Sequence, residues 1–354
     1  MRAVPSSYDA VGITQLEPAF IDMRNVTTAV ECDRQGIDPL RSNPCDPTQR
    51  PLNYPRVWVK ALSPLGIGAG ATVPLALIAI AVFSGALALL MRNQPGGVWW
   101  WAATIVSPPV MLVVERGNTD LVVFAALVIA ALALERPALA AASWLATVVL
   151  KLFTVAAAPV LLLHARPRRW MLAALGVAVA YAALSFRDIR VIAHVVPQDV
   201  DNSYGSSLLP ARIAGSLEPA NYKIIGWVIA GLVGIGALVR GWRHNFRAEN
   251  GGVAEFQVAA SIFIATYLVG VSFDYREIFL LLALPFTLRN PSVETRLLQV
   301  LIVASMWLGP GGRIGGLADD VVELVLFAVL VSLLTATFAR TFRASTDGIR
   351  LRAR

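Results

Sequence analysis

From Pro64 onward, apolar residues in this chain come in long runs rather than in a two-residue or 3.6-residue rhythm. Runs of Val, Leu, Ile and Ala recur at lengths near the ~20 residues an α-helix needs to cross roughly 30 Å of hydrocarbon. Their positions predict spanning helices near 65–91, 97–114, 120–134, 138–164, 170–185, 222–239, 253–271, 277–288, 296–309 and 319–338. Residues 1–63 are different in kind: polar, rich in Pro and Asp, and without such a run. The pattern predicts an all-α, polytopic transmembrane protein.

Charge placement sharpens this picture. Arg92, Arg136, the stretch from His164 to Arg169, the stretch from Arg240 to Arg247, Arg289 to Arg296, and Arg340 to Arg354 all lie in connections between runs or after the last. The positive-inside rule puts every one of them on the cytoplasmic side. The outward segments are then 1–63, 115–120, 187–221, 272–276 and 310–319. Segment 138–164 has arginines at both ends, so both ends belong on one side. That predicts a broken helix or short hairpin with Lys151 at its tip, facing a polar cavity rather than lipid.

Three regions follow: an extracytoplasmic N-terminal loop segment at 1–63, a polytopic domain at 64–340 and a basic cytoplasmic tail at 341–354. Export of 1–63 leads to the expectation of a further transmembrane helix ahead of it, which brings the total to about 10–11 membrane segments; a translocated N-terminal tail is the alternative. Both cysteines, Cys32 and Cys45, fall in this exported stretch, where an oxidising compartment favours a disulfide between them.

Composition agrees with the pattern. Of 354 residues, 56% are hydrophobic and 15% charged, against about half and a quarter for soluble domains. Disorder, coiled coil and a small disulfide scaffold are excluded. The net charge of +7 does not indicate nucleic acid, because the basic residues are spread over short connections and not gathered on one face.

Candidate chemistry concentrates on the outward side. Asp22 opens an amphipathic stretch at a membrane boundary, where partial desolvation favours a base; a simple helix-capping role is the alternative. Asp33 is a second carboxylate in the same exported segment. The turn Glu115-Arg116-Gly117-Asn118-Thr119-Asp120 opens a helix, with Thr119 or Asp120 as candidate N-cap. Asp201 and Asn202 lie in the longest internal outer loop. Asp274-Tyr275-Arg276 offers either a surface ion pair or a guanidinium for an anion beside a hydroxyl acceptor. The histidines are scattered, and no phosphate-binding glycine loop or nucleophile elbow is present, so no metal or cofactor is expected.

In order along the chain, Ile21-Asp22-Met23-Arg24, Gly36-Ile-Asp-Pro39, Asn53-Tyr-Pro55, Arg116-Gly-Asn-Thr-Asp-Leu121, Leu150-Lys-Leu-Phe153 with Pro159, and Phe279 to Pro285 resemble glycosyltransferase family 87 of the GT-C glycosyltransferases. The resemblance covers roughly 18–290. It implies a multi-pass plasma (inner) membrane enzyme that transfers a sugar, mannose in the relatives, from a polyprenyl-phosphate donor to a cell-envelope glycolipid or glycan. The transfer would be inverting, in an outer-face cavity, with an aspartate base at Asp22. Arg24, Arg116, Lys151 and Arg276 would then meet the donor phosphate. Asn118, Asp120, Asn202, Asp274 and Tyr275 would hold sugar or acceptor. Related enzymes often carry a histidine where this chain has Asp274-Tyr275-Arg276. A lipid-linked sugar flippase or secondary transporter is the competing expectation, with Lys151 in a broken helix its main support.

Overall fold

A computed structural model describes residues 2–4, 13, 15–92, 94, 97–196, 203–214, 219–244, 246, 251–309 and 312–352. It is helical almost throughout. In chain order the helices are α1 Ile21–Arg34, α2 Val57–Leu62, α3 Thr72–Met91, α4 Val98–Ile105, α5 Pro108–Arg116, α6 Asp120–Leu132, α7 Pro137–Leu150 and α8 Ala158–His164. They continue with α9 Arg169–Leu184, α10 Phe186–Val195, α11 Leu208–Ala214, α12 Pro219–Arg243, α13 Val253–Leu268, α14 Leu284–Arg289, α15 Val293–Leu308 and α16 Gly312–Arg352. Two short antiparallel ladders join Arg2–Val4 to Gln15–Glu17 and Ser203–Tyr204 to Ser272–Phe273. The chain divides into two compact units, Met1–Arg92 with Pro108–Gln198, and Asn93–Ser107 with Asp199–Arg354.

Among the described residues, three helices are long and apolar enough to cross a membrane, Ala69–Met91, Asn221–Arg243 and Gly316–Arg340; the number is five if α4 with α5, and α9 with α10, each count as one bent span. Shorter apolar helices fill most of the remaining runs. Three expected elements differ from the sequence reading. The run at 97–114 is interrupted at Val106–Ser107, because Pro108 and Pro109 lack the amides that would continue the α4 ladder. The run at 277–288 begins as a 3-10 helix, Asp274–Ala283, before α14. The expected outer loop 187–221 contains α10 and α11; α10 carries Arg187, Arg190 and His194 on one face, while Val191 and Ile192 pack on the core.

In the first unit, Val26, Ala29, Val30, Leu40, Leu52, Tyr54 and Val59 form a buried core between α1 and the loop that wraps it. A disulfide joins Cys32 on α1 to Cys45 in that loop, with Cα atoms 5.8 Å apart. The helix α7 ends at Lys151, whose φ of −152° and ψ of 111° are extended. The chain then folds back: Trp144 Nε1 donates to Thr154 O at 3.1 Å, and Thr147 Oγ1 to Thr154 Oγ1 at 3.0 Å. This is the break that the flanking arginines predict.

In the second unit, Gly234 faces Phe327, and Gly241 lies against Ser332 and Thr335, so α12 and α16 run in the same direction. Their basic C-terminal ends, Arg240 and Arg340, therefore share one end of the unit. Glu294 at the start of α15 reaches His244 there, at 3.5 Å. At the other end, Gly309 after α15 sits beside Asp274 and Asp319. Between Asp319 and Arg340, α16 rises about 32 Å, close to the ~30 Å of a hydrocarbon core.

Candidate functional site

The outer-loop residues singled out from sequence meet, in part, inside the first unit. Asp22 lies in the first turn of α1, which starts after Phe20, a residue held in the left-handed region at φ 56°. Gly117 also has positive φ, and a methyl group there would lie 3.0 Å from Phe20 Cβ and 3.1 Å from Ala76 Cβ. Only glycine allows that turn to pack so tightly against both α1's entry and α3.

This packing brings Asn118 to Asp22, 96 residues away. Asn118 Nδ2 donates to Asp22 Oδ2 at 2.6 Å and to Tyr54 Oη at 3.2 Å. Asn118 Oδ1 accepts from Lys151 Nζ at 3.0 Å and from the Asp120 amide at 2.9 Å. Lys151 Nζ pairs with Asp120 Oδ1 at 2.9 Å and stands 5.0 Å from the centre of the Tyr54 ring. On the other side of Asp22, Arg50 Nη1 lies 3.4 Å from Oδ1 and Arg50 Nη2 donates to Ile21 O at 2.7 Å. Asp46 anchors Arg50 at 3.7 Å and accepts from Asn25 Nδ2 at 2.9 Å.

The result is a chain of alternating charge: Asp46, Arg50, Asp22, Asn118, Lys151, Asp120. Asp22 and Lys151 are each 8% exposed, whereas Asn118 and Asp120 are fully buried. Such a network is stable in a low-dielectric interior only because each charge has a partner. Asn118 holds the first turn of α6, a role the spacing offered to Thr119 or Asp120. Thr119, at the N-cap, makes no side-chain capping bond, and the Asp120 carboxylate is engaged by Lys151.

Beside this network is a cavity of about 1040 Å³, walled by Glu17, Phe20, Arg24, Ile80, Val114 and Glu115 among others. Arg24 is half-buried, and its Nε finds no hydrogen-bond partner. Ile80 belongs to α3, one of the long apolar helices, so the cavity has a polar wall and an apolar one. Glu115 accepts from the Leu16 amide at 3.0 Å and pairs with Arg116 at 3.0 Å, which ties Arg116 to the cavity rim.

The remaining described candidates have other partners. Asp33 sits eleven residues along α1 from Asp22, about 16 Å by helical rise, and pairs with the exposed Lys60 at 3.2 Å. It takes no part in the network. Asp274, Tyr275 and Arg276 belong to the second unit, where Arg276 Nη1 donates to Ser272 Oγ at 3.0 Å and Tyr275 stacks on Phe273. Asn202 lies outside the described residues.

Several participants were given no role at the site from the sequence. Arg50, Tyr54 and Asp46 come from the stretch that wraps α1, and only long-range packing links them to Asp22. In the second unit, Glu277, Asp319, Asp320 and Glu323 are all buried. Arg212 Nε pairs with Asp320 at 2.9 Å, and the Gly205 amide donates to Glu323 Oε2 at 3.3 Å. The spacing of 319, 320 and 323 was a legible signal: three acids on one side of an apolar helix are costly in lipid. Among the described residues no group of three or more His, Cys, Asp or Glu is arranged to hold a metal ion.

No family model matches the chain, and no curated protein or solved structure matches it.

Proposed function

We propose that this chain is a polytopic membrane glycosyltransferase of about 10–11 segments that uses a lipid-phosphate-linked sugar, with Asp22 as general base at the extracytoplasmic face. One observation carries the reading. The first turn of α1 turns Asp22 into the network with Asn118 and sends Arg24, with a partnerless buried Nε, to the wall of a large cavity bounded by an apolar helix. An anion-seeking guanidinium on a cavity wall that is apolar on its other side, two residues along α1 from the Asp22 carboxylate, suits a donor that is half sugar phosphate and half lipid.

In the proposed step, Asp22 accepts the proton of an acceptor hydroxyl. That oxygen bonds to the anomeric carbon while the bond from carbon to phosphate oxygen breaks. The lipid phosphate leaves with the electron pair, on the opposite face of the sugar, so the configuration inverts. Arg24 meets the charge that grows on the phosphate. Arg50 and Asn118 hold the carboxylate in place.

The test is transfer of labelled sugar from polyprenyl-phosphate-mannose to membrane glycolipid by membranes containing the chain. Asp22→Asn is expected to lower transfer by about 10²–10⁴-fold, the usual range for loss of a general base, with normal membrane abundance. Equal transfer by parent and Asp22→Asn overturns Asp22 as base. A flippase reading is favoured by one feature, the helix break at buried Lys151. It predicts lipid-linked sugar movement that Lys151→Met abolishes and Asp22→Asn spares.

A further inference from the structure

In the second unit, α12, α15 and α16 leave between them a trough of about 430 Å³, a size that small ligands fill. Its floor and walls are mostly apolar: Val233, Gly236 and Ala237 from α12, Leu297 from α15, and one side of α16 between Leu324 and Leu333, where Ser332 adds a hydroxyl. One end is polar, with Arg240, His244 and Glu294. The trough is open at the side, since Leu297 is 44% and Val325 42% exposed on its rim. From Val233 to His244 it runs eleven residues of helix, about 16 Å, against the ~15 Å of hydrocarbon in half a bilayer.

Helix packing explains why the trough exists. Near Gly241 the two parallel helices touch, because a methyl there would overlap the Ser332 carbonyl. At Gly236 the opposite holds, and a methyl would meet nothing within 4 Å. Both α12 and α16 are long and apolar enough to cross a membrane, so in a bilayer this open slot faces acyl chains. Its polar end carries the Arg240 guanidinium with His244 and Glu294, which face each other at 3.5 Å. The basic ends of α12 and α16 lie on that same side.

We propose that this trough binds one acyl chain of an anionic glycerophospholipid, with its phosphate held by Arg240 and His244. The length matches one leaflet, and the charge selects a headgroup with net negative charge over a zwitterionic one. Arg240 supplies a permanent guanidinium for the phosphate oxygens. Glu294 orients His244 towards the headgroup. The inference needs α12 and α16 to lie in a membrane and is independent of sugar transfer at Asp22.

The test uses the full chain reconstituted in bilayers of equal phosphatidylglycerol and phosphatidylcholine, extracted gently, with retained lipid identified by native mass spectrometry. The parent is expected to retain phosphatidylglycerol in preference to phosphatidylcholine. Arg240→Gln with His244→Gln should weaken that retention about tenfold, the scale of a lost charge-assisted hydrogen bond. Gly236→Leu fills the slot at a position with room for it and should displace lipid of both kinds while the melting temperature stays at or above the parent's. Equal retention of the two lipids by the parent, undiminished phosphatidylglycerol on the charge variant, or undiminished lipid on a folded Gly236→Leu variant would each overturn the proposal.

Discussion

At Lys151 an ammonium group only 8% exposed is held where two helical segments meet, by Asp120, Asn118 and the face of Tyr54. The partner carboxylate is fully buried. Removing one charge of such a pair strands the other in a medium that cannot solvate it. Lys151→Met is therefore expected to lower stability by about 3–5 kcal/mol, measured by thermal or denaturant unfolding in detergent. The double variant Lys151→Met with Asp120→Asn should recover a large part of that loss, since no uncompensated charge remains. The same double variant keeps the Asp22 carboxylate and so separates stability from chemistry. At this scale the chain was readable where chemistry is locally unusual. A lysine in mid-run and a polar turn of six residues both stand out. Arg50 and Tyr54 belong to a motif stretch, but nothing near them in the chain says that they close on the Asp22 network.

Among elements, the segment wrapping α1 decides whether the network forms. It delivers Arg50 and Tyr54, and it is fastened by the disulfide between Cys32 and Cys45 thirteen residues apart. Cys32→Ser with Cys45→Ser is expected to cost about 2–4 kcal/mol, read as a lower melting temperature. A second fastening lies at α10. Arg56 donates to Asp188 on α10 at 3.1 Å and to Asp38 at 2.9 Å. The hydrogen bond from Arg56 holds the Asp38 carboxyl below its ordinary value of 3.8, against a smaller opposing effect of burial. A carboxylate lowered in the folded state contributes stability that is complete above its ordinary value and is lost as pH falls through the lowered one. Amide protection of the turn from Asp38 to Ser42, followed by hydrogen exchange, should thus decline below pH 3.8 and be low at every pH in Arg56→Gln. The wrap and α10 were hidden from a hydropathy reading, since both are amphipathic or polar and their partners are remote. The long apolar helices were plain in it, as was the break at Lys151, which basic residues at both ends demand.

For the molecule as a whole, the distribution of charge in the second unit makes a prediction about sidedness. The C-terminal ends of α12 and α16 are basic, and the acids Asp274, Asp319 and Asp320 gather at the opposite end. With both native cysteines joined in a disulfide, the parent offers no free thiol. Arg243→Cys and Val269→Cys place single thiols near the two ends of that unit. A membrane-impermeant thiol reagent applied to intact cells should label Val269→Cys, and label Arg243→Cys only after the membrane is opened. Labelling of both from one side would contradict the polytopic arrangement.

The order of the two charges along the chain has a consequence for how the protein is made. Asp120 lies 31 residues ahead of Lys151, a delay of about 2–6 s at 5–20 residues per second of synthesis. The carboxylate that neutralises the lysine is thus already waiting when the hairpin tip leaves the ribosome. Lys151 can enter its niche as half of a pair and need never cross the apolar layer alone. With the two residues exchanged, the lysine would emerge first and wait for its partner, so nascent chains of an Asp120→Lys, Lys151→Asp variant should insert less efficiently even if the finished pair were equally stable.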